Sequence, residues 1–360
     1  MEPAQCADGG ASPKRNYGID ALRLFAMYMV CMLHTLGQGG ILSASAKGTI
    51  GYKAFWLIEI ISFCAVDCFA IISGYTATDK PRRFSRIVEM WFQAFFYSFV
   101  ITVLLSCVIQ SVDLPIFEMI KCALPLVFGK FWYFSAYFAL FLAIPVLNRF
   151  VFSVDDNTAK KALIIAVLLY SVIGFVTDTF SMVGGSSALW LMVVYCIGAL
   201  AKRVKLFEAR SNWFLLALGS VSVLFTWFLY VYFGFGSFID YLSPTILLNA
   251  IILVTLFSRL RIKGKIISKL APLAFGIYLF QLNQVIWNNC LYGAFSFVAR
   301  KSLPVGVLYA IVLALCIWCV GLLVDFLRAQ IFRLLHISSL STRVGNWADK
   351  GITKLFVLLK

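Results

Sequence analysis

Residues 19–36 read IDALRLFAMYMVCMLHTL. The stretch is apolar enough to enter a bilayer, yet it carries Arg23 near one end and His34 near the other. An ionisable side chain inside a span costs about 2.5–3.5 kcal/mol on insertion scales, so it faces a cavity or a partner far more often than lipid. Eleven helical steps of about 100° make close to three turns, so the two side chains share one helix face, roughly 16 Å apart along the axis.

The rest of the chain has the same character. Of 360 residues, 62% are hydrophobic and 13% charged, and the mean hydropathy is +0.91. A soluble domain is roughly half apolar and a quarter charged, so this composition excludes a soluble enzyme and indicates an all-α, polytopic membrane protein. Apolar runs long enough for about 30 Å of hydrocarbon recur at 19–40, 54–77, 88–110, 131–147, 162–179, 186–201, 212–233, 244–258, 270–290 and 304–327. β-barrel strands would be shorter and would alternate with polar residues, which these do not. Segment 116–128, IFEMIKCALPLVF, is too short to cross and reads as a re-entrant or interfacial piece. The expected organisation is a cytoplasmic segment 1–16, a membrane domain 17–333, and a cytoplasmic tail 334–360 whose mixed Trp, Leu and Lys content suits a helix lying on the membrane surface.

Cytoplasmic loops collect Lys and Arg. With both termini inside, 24 of the 31 Lys and Arg fall in inner segments, against six in outer loops. The net charge of +15 is then explained by an anionic inner leaflet, without nucleic acid as a partner. Lys14 and Arg15 before an apolar run suggest a signal peptide, but Arg23 and His34 interrupt the run and the small residues Ala44-Ser45-Ala46 lie well past it; the first span is read as uncleaved. Ten cysteines are scattered mostly through the spans, where they read as small buried hydrophobes. With two histidines in the whole chain, one of them His336 in the basic tail, no metal site is expected.

Four ionisable groups within spans are candidates for chemistry: Arg23, His34, Glu59 and Asp67. Arg23 has the alternative of snorkelling to the inner interface, and His34 that of an interhelical hydrogen bond. By depth along the second span, Glu59 lies nearer to His34 than Asp67 does. Asp325 in the last span has Arg328 three residues on, the spacing of a helical ion pair.

The pattern around these residues resembles the acyltransferase-3 family of membrane O-acyltransferases. Arg23 and His34 match a first span carrying Arg or Lys, ten residues and His. Val66-Asp67 and Phe69-Ala-Ile-Ile-Ser73-Gly74-Tyr75 match the end of the second span, and Arg83-Phe-Ser-Arg86 an R-x-x-R after it. Phe131-Trp132-Tyr133 through Pro145-Val-Leu-Asn148 and Phe275-Gly276-Ile277-Tyr278-Leu279 complete the set. One departure is Gln281, where many relatives have histidine; an amide orients but does not take a proton.

The resemblance implies transfer of an acyl group, acetyl being the expected one, from cytoplasmic acyl-CoA as co-substrate to a hydroxyl of a cell-surface or lipid-linked carbohydrate. No bound cofactor is implied, and the location implied is a bacterial plasma membrane. His34 is the expected base, because imidazole titrates near operating pH. Its orienting carboxylate is Asp67 by motif, with Glu59 as the rival by depth. Arg23, Arg82, Arg83 and Arg86 are candidates for the donor's phosphates, since guanidinium forks match phosphate oxygens; their alternative is positive-inside anchoring. Ser73, Tyr75, Trp132, Tyr133, Asn148, Tyr278 and Gln281 are candidates for lining the acceptor path. A transporter or flippase of a lipid-linked or small polar molecule is the competing reading, although no internal repeat of the kind transporters use is visible.

Overall fold

The computed structural model describes residues 15–79, 83–109, 114–262 and 264–358. Arg82, Lys14 and most of the expected segment 1–16 lie outside these residues.

Every regular element among the described residues is helical, as the composition requires of a chain that must satisfy its backbone inside lipid. Helix α1 (Tyr17–Leu36) starts where Asn16 accepts hydrogen bonds from the Gly18 and Ile19 amides, and Asp20 in the first turn complements the helix dipole. It stops earlier than the expected 19–40. Gly37 caps it, and Gly40 takes φ +90°, a left-handed conformation that suits glycine. The short α2 (Ile41–Ala44) follows.

The second span is α3 (Ile50–Phe63) and α4 (Ala65–Tyr75), separated at Cys64. Then come α5 (Ser85–Phe95), continued through a π-helical stretch into α6 (Thr102–Val108), and α7 (Ile116–Ala123). With eight residues α7 is far too short to cross, as its sequence suggests. The chain continues with α8 (Trp132–Ser153), α9 (Asp156–Ala166), α10 (Ala188–Arg203), α11 (Asn212–Phe233) and α12 (Pro244–Ser258). It closes with α13 (Lys265–Leu270), α14 (Ala274–Gln281), α15 (Gln284–Ile286), α16 (Leu303–Leu334) and α17 (Ile337–Leu358).

Seven of these runs are long and apolar enough to span a membrane, and an eighth is a pair bent by 58° between Gln281 and Gln284. The sequence suggests ten. The difference falls at 162–179 and 186–201. There α9 carries Asp156, Lys160 and Lys161 in its first half, and α10 has only 16 residues, about 24 Å at 1.5 Å per residue. The expected straight span 270–290 is broken because Asn283 Oδ1 accepts from the Val285 and Ile286 amides, capping a new helix start.

Helix α10 nevertheless packs extensively, against α4, α8 and α9. A Cβ on Gly74 would strike the Tyr195 carbonyl, and one on Gly198 the Ile71 backbone, so α4 and α10 meet backbone to backbone through small residues. The glycine of the Ser73-Gly74-Tyr75 motif is explained by that contact.

Loops rich in Lys and Arg are tied together at one end of the bundle. Arg15 donates to the Ser268 carbonyl, Asn16 to that of Ser258, and Arg259 to that of Arg210. At the other end the Gly293 and Phe295 amides bond the Gln38 and Gly39 carbonyls. Helix α17 docks against the start of α5, with Gly345 close to Ser85 and Phe84.

Candidate functional site

The face shared by Arg23 and His34 opens on a cavity of about 250 Å³. Its basic-end wall is Arg23, Met27, Ala271, Pro272 and Phe275; its opposite end is His34, Gln38, Glu59, Trp132, Tyr133 and Tyr241. Pro272 is exposed at one end and Gln38 at the other.

Arg23 is held rather than free to snorkel. Its Nη1 donates to Asp20 Oδ1 at 2.6 Å, and Arg15 Nε donates to Asp20 Oδ2 at 2.6 Å. Asp20 is buried while the Arg23 side chain is one-third exposed. A guanidinium has five N–H donors, so this single contact leaves others for an anion in the cavity.

His34 sits in the last turn of α1. The Trp287 ring meets it edge-on at 5.3 Å. Its Nδ1 is buried without a hydrogen-bonded partner, as is Gln281 Oε1. The Gln281 carboxamide lies close enough to act on the imidazole and on Cys31, one turn earlier, and its Nε2 makes a weak 3.9 Å contact with Met27 Sδ. Trp287 also lines a second cavity of about 240 Å³ with Ser98, Thr102, Lys130 and Asn283.

The two carboxylates separate. Glu59 lines the cavity with His34, and a Cβ on Gly37 would lie 3.5 Å from its Oε1, which puts the carboxylate beside the end of α1. Its Oε2 has no partner. Asp67 does not line the cavity. It is fully buried, its Oδ1 accepts from Trp190 Nε1 at 3.0 Å, and its Oδ2 is unpartnered.

The other candidates divide in the same way. Trp132, Tyr133 and Tyr278 line the cavity, and the Tyr133 amide donates to the Tyr278 hydroxyl at 3.1 Å. Asn148 instead ties elements together: its Nδ2 donates to the Thr78 carbonyl, and its Oδ1 accepts from the Tyr195 hydroxyl. Ser73 donates to the Phe69 carbonyl, and the Lys202 ammonium stands 5.2 Å from the Tyr75 ring centre. Arg83 and Arg86 are exposed and outside the cavity.

Tyr241, Trp287 and Gln38 were not found from sequence. Tyr241 stacks on Trp132 at 6.1 Å but belongs to a loop between helices. Trp287 follows the break at Asn283, and Gln38 follows the glycine that ends α1. None carries a local signal that distinguishes it from other loop or interface residues.

No curated protein and no solved structure showed significant similarity to the chain. A family model described as an acyltransferase domain matches residues 16–324, a range that contains α1 and the cavity, and on this match the chain belongs to the acyltransferase-3 family of membrane acyltransferases.

Proposed function

We propose that the protein moves an acyl group, acetyl in the first instance, from cytoplasmic acyl-CoA to a hydroxyl of a cell-surface or lipid-linked carbohydrate, with His34 as the base. The observation that carries this reading is the single cavity walled by a guanidinium near the basic end and an imidazole farther along. A CoA thioester enters from the side where Lys and Arg cluster. Arg23, held by Asp20, meets the donor's anionic part, and the apolar stretch of Met27, Val30 and Phe275 accommodates its arm. Exposed Arg83 and Arg86 contribute at longer range by raising the local concentration of an anionic donor.

A hydroxyl is a weak nucleophile until a base removes its proton. His34 takes that proton, and the acceptor oxygen attacks the thioester carbonyl. The tetrahedral intermediate collapses with cleavage of the C–S bond, and the departing CoA thiolate recovers the proton from the imidazolium. The products are an ester and free CoA thiol. This requires one ring nitrogen to be available as the base. In this reading Gln281 meets the requirement by turning its carboxamide oxygen to accept from Nδ1–H, which leaves Nε2 unprotonated; neither atom has a hydrogen bond that this would displace. The amide thus orients the base where many relatives carry a second histidine.

The test is transfer of radiolabel from acetyl-CoA into envelope carbohydrate by membranes containing the protein. His34→Ala should lower transfer by about 10²–10⁴-fold, the usual contribution of a general base, at unchanged protein abundance. Label that persists in this variant overturns the reading.

A further inference from the structure

Glu59 is a buried carboxylate on the cavity wall with one oxygen unpartnered. A carboxylate that served to orient His34 would be hydrogen-bonded to the ring. Glu59 makes no such bond, since its Oε2 and His34 Nδ1 both lack a partner, and the proposed function gives the orienting role to Gln281. Glu59 is therefore left over by the chemistry of the base. A buried acceptor of this strength with no donor points to a ligand that brings one.

The surroundings narrow the ligand. Around Glu59 the wall is aromatic: Phe63 and Trp132 both pack on Tyr241, at 5.8 and 6.1 Å, and the buried Tyr133 hydroxyl also lacks a partner. Gln38 adds an exposed amide at the rim. Aromatic faces suit C–H surfaces, and a carboxylate with an amide suits hydroxyls as donors and acceptors. The two together fit a molecule that carries both on adjoining carbons.

We infer that Glu59 is the specificity-determining residue for the acceptor: its carboxylate takes hydrogen bonds from two neighbouring hydroxyls and so selects which oxygen faces His34. The inference rests on the proposed role of His34 and adds the recognition of a vicinal diol to it. An alcohol with a single hydroxyl would leave the carboxylate unsatisfied, and a site built around such a bond rejects analogues that lack it.

The experiment compares two probe alcohols, glycerol and 1-propanol, as acceptors with purified protein and acetyl-CoA, reading ester formation and CoA thiol release. Wild type should prefer glycerol at equal concentration by about tenfold or more. Glu59→Gln should erase that preference through a raised KM for glycerol, with the 1-propanol rate kept within about threefold. Glu59→Asp, which keeps the carboxyl group on a shorter arm, should fall between them and reads the same effect if the glutamine variant does not fold. Equal slowing of both alcohols by Glu59→Gln, or no preference in wild type, overturns the inference. His34→Ala separates the two ideas: it should slow both alcohols alike, and if it slows neither, the role of His34 fails whatever Glu59 does.

Discussion

Two buried carboxylates carry opposite messages. Asp325 on α16 is fully buried and saturated. Its Oδ1 accepts from the Tyr97 hydroxyl at 3.0 Å and from Arg328 Nε at 2.9 Å, and its Oδ2 accepts from Arg328 Nη2 at 2.7 Å. The backbone of Gly276 is pressed so close that a Cβ there would fall on the carboxylate, which accounts for the glycine in Phe275-Gly276-Ile277-Tyr278-Leu279. Glu59 on α3 is nearly as buried, but one oxygen has no partner and the residue faces a cavity. Desolvation penalises both, and only one has been compensated from within the protein. The comparison teaches that an intramembrane charge marks function when its hydrogen-bonding capacity is left open, not simply because it is charged.

The sharpest way to break that comparison is Arg328→Met. Removing the cation strands Asp325 as a buried charge, which costs about 3–5 kcal/mol, so folded yield and thermal stability in detergent should collapse. The double variant Asp325→Leu with Arg328→Met should recover much of the loss, because no unpaired charge remains. Glu59→Gln, by contrast, should leave stability close to wild type. If Arg328→Met is tolerated as well as Glu59→Gln, saturation is no guide to role.

A milder test falls on Asp67, which stands between the two cases with one oxygen on Trp190 and the other open. Trp190→Phe removes the indole donor with little change in shape. The expected loss is about 1 kcal/mol, in the range of polar contacts between membrane helices, measured as a shift in the melting midpoint. Acyl transfer per folded molecule should stay within a few-fold, since Asp67 does not line the cavity. A large drop in transfer at unchanged stability would return Asp67 to the role of orienting the base.

The contrast between these carboxylates was only partly legible in the sequence. Helical spacing alone pairs Asp325 with Arg328 and puts Arg23 and His34 on one face, because both relations are local and fixed by 3.6 residues per turn. The membrane class followed from composition. The choice between Glu59 and Asp67 did not, since it depends on where α1 ends and on what packs beside α4, namely Trp190 from a helix more than a hundred residues later. Hydropathy also read 162–179 and 186–201 as spans: it registers apolarity without distinguishing lipid from protein as the neighbour, and α10 is apolar because it packs against α4, α8 and α9. The break at Asn283 was hidden for a related reason, that one capping side chain redirects a helix without altering mean hydropathy.

The smallest expected effect lies at the basic end of the cavity, where Arg15 does not line the wall but bonds Asp20, the carboxylate that holds Arg23. Arg15 is half-exposed, and its one bond to Asp20 shares a carboxylate with Arg23. Arg15→Gln leaves Asp20 to Arg23 alone and removes the exposed bond to the Ser268 carbonyl, so stability should change little, in keeping with the weak contribution of solvent-exposed polar contacts. What changes is the direction in which the Arg23 guanidinium is held. If Arg23 meets the donor's anionic part, its looser fork should raise KM for acetyl-CoA about two- to threefold while kcat and the preference between alcohols stay put, the signature of lost ground-state binding. A fall in kcat with KM unchanged would mean instead that this end of α1 acts on the reacting centre at His34, three helical turns away, and that the basic mouth and the imidazole work as one unit.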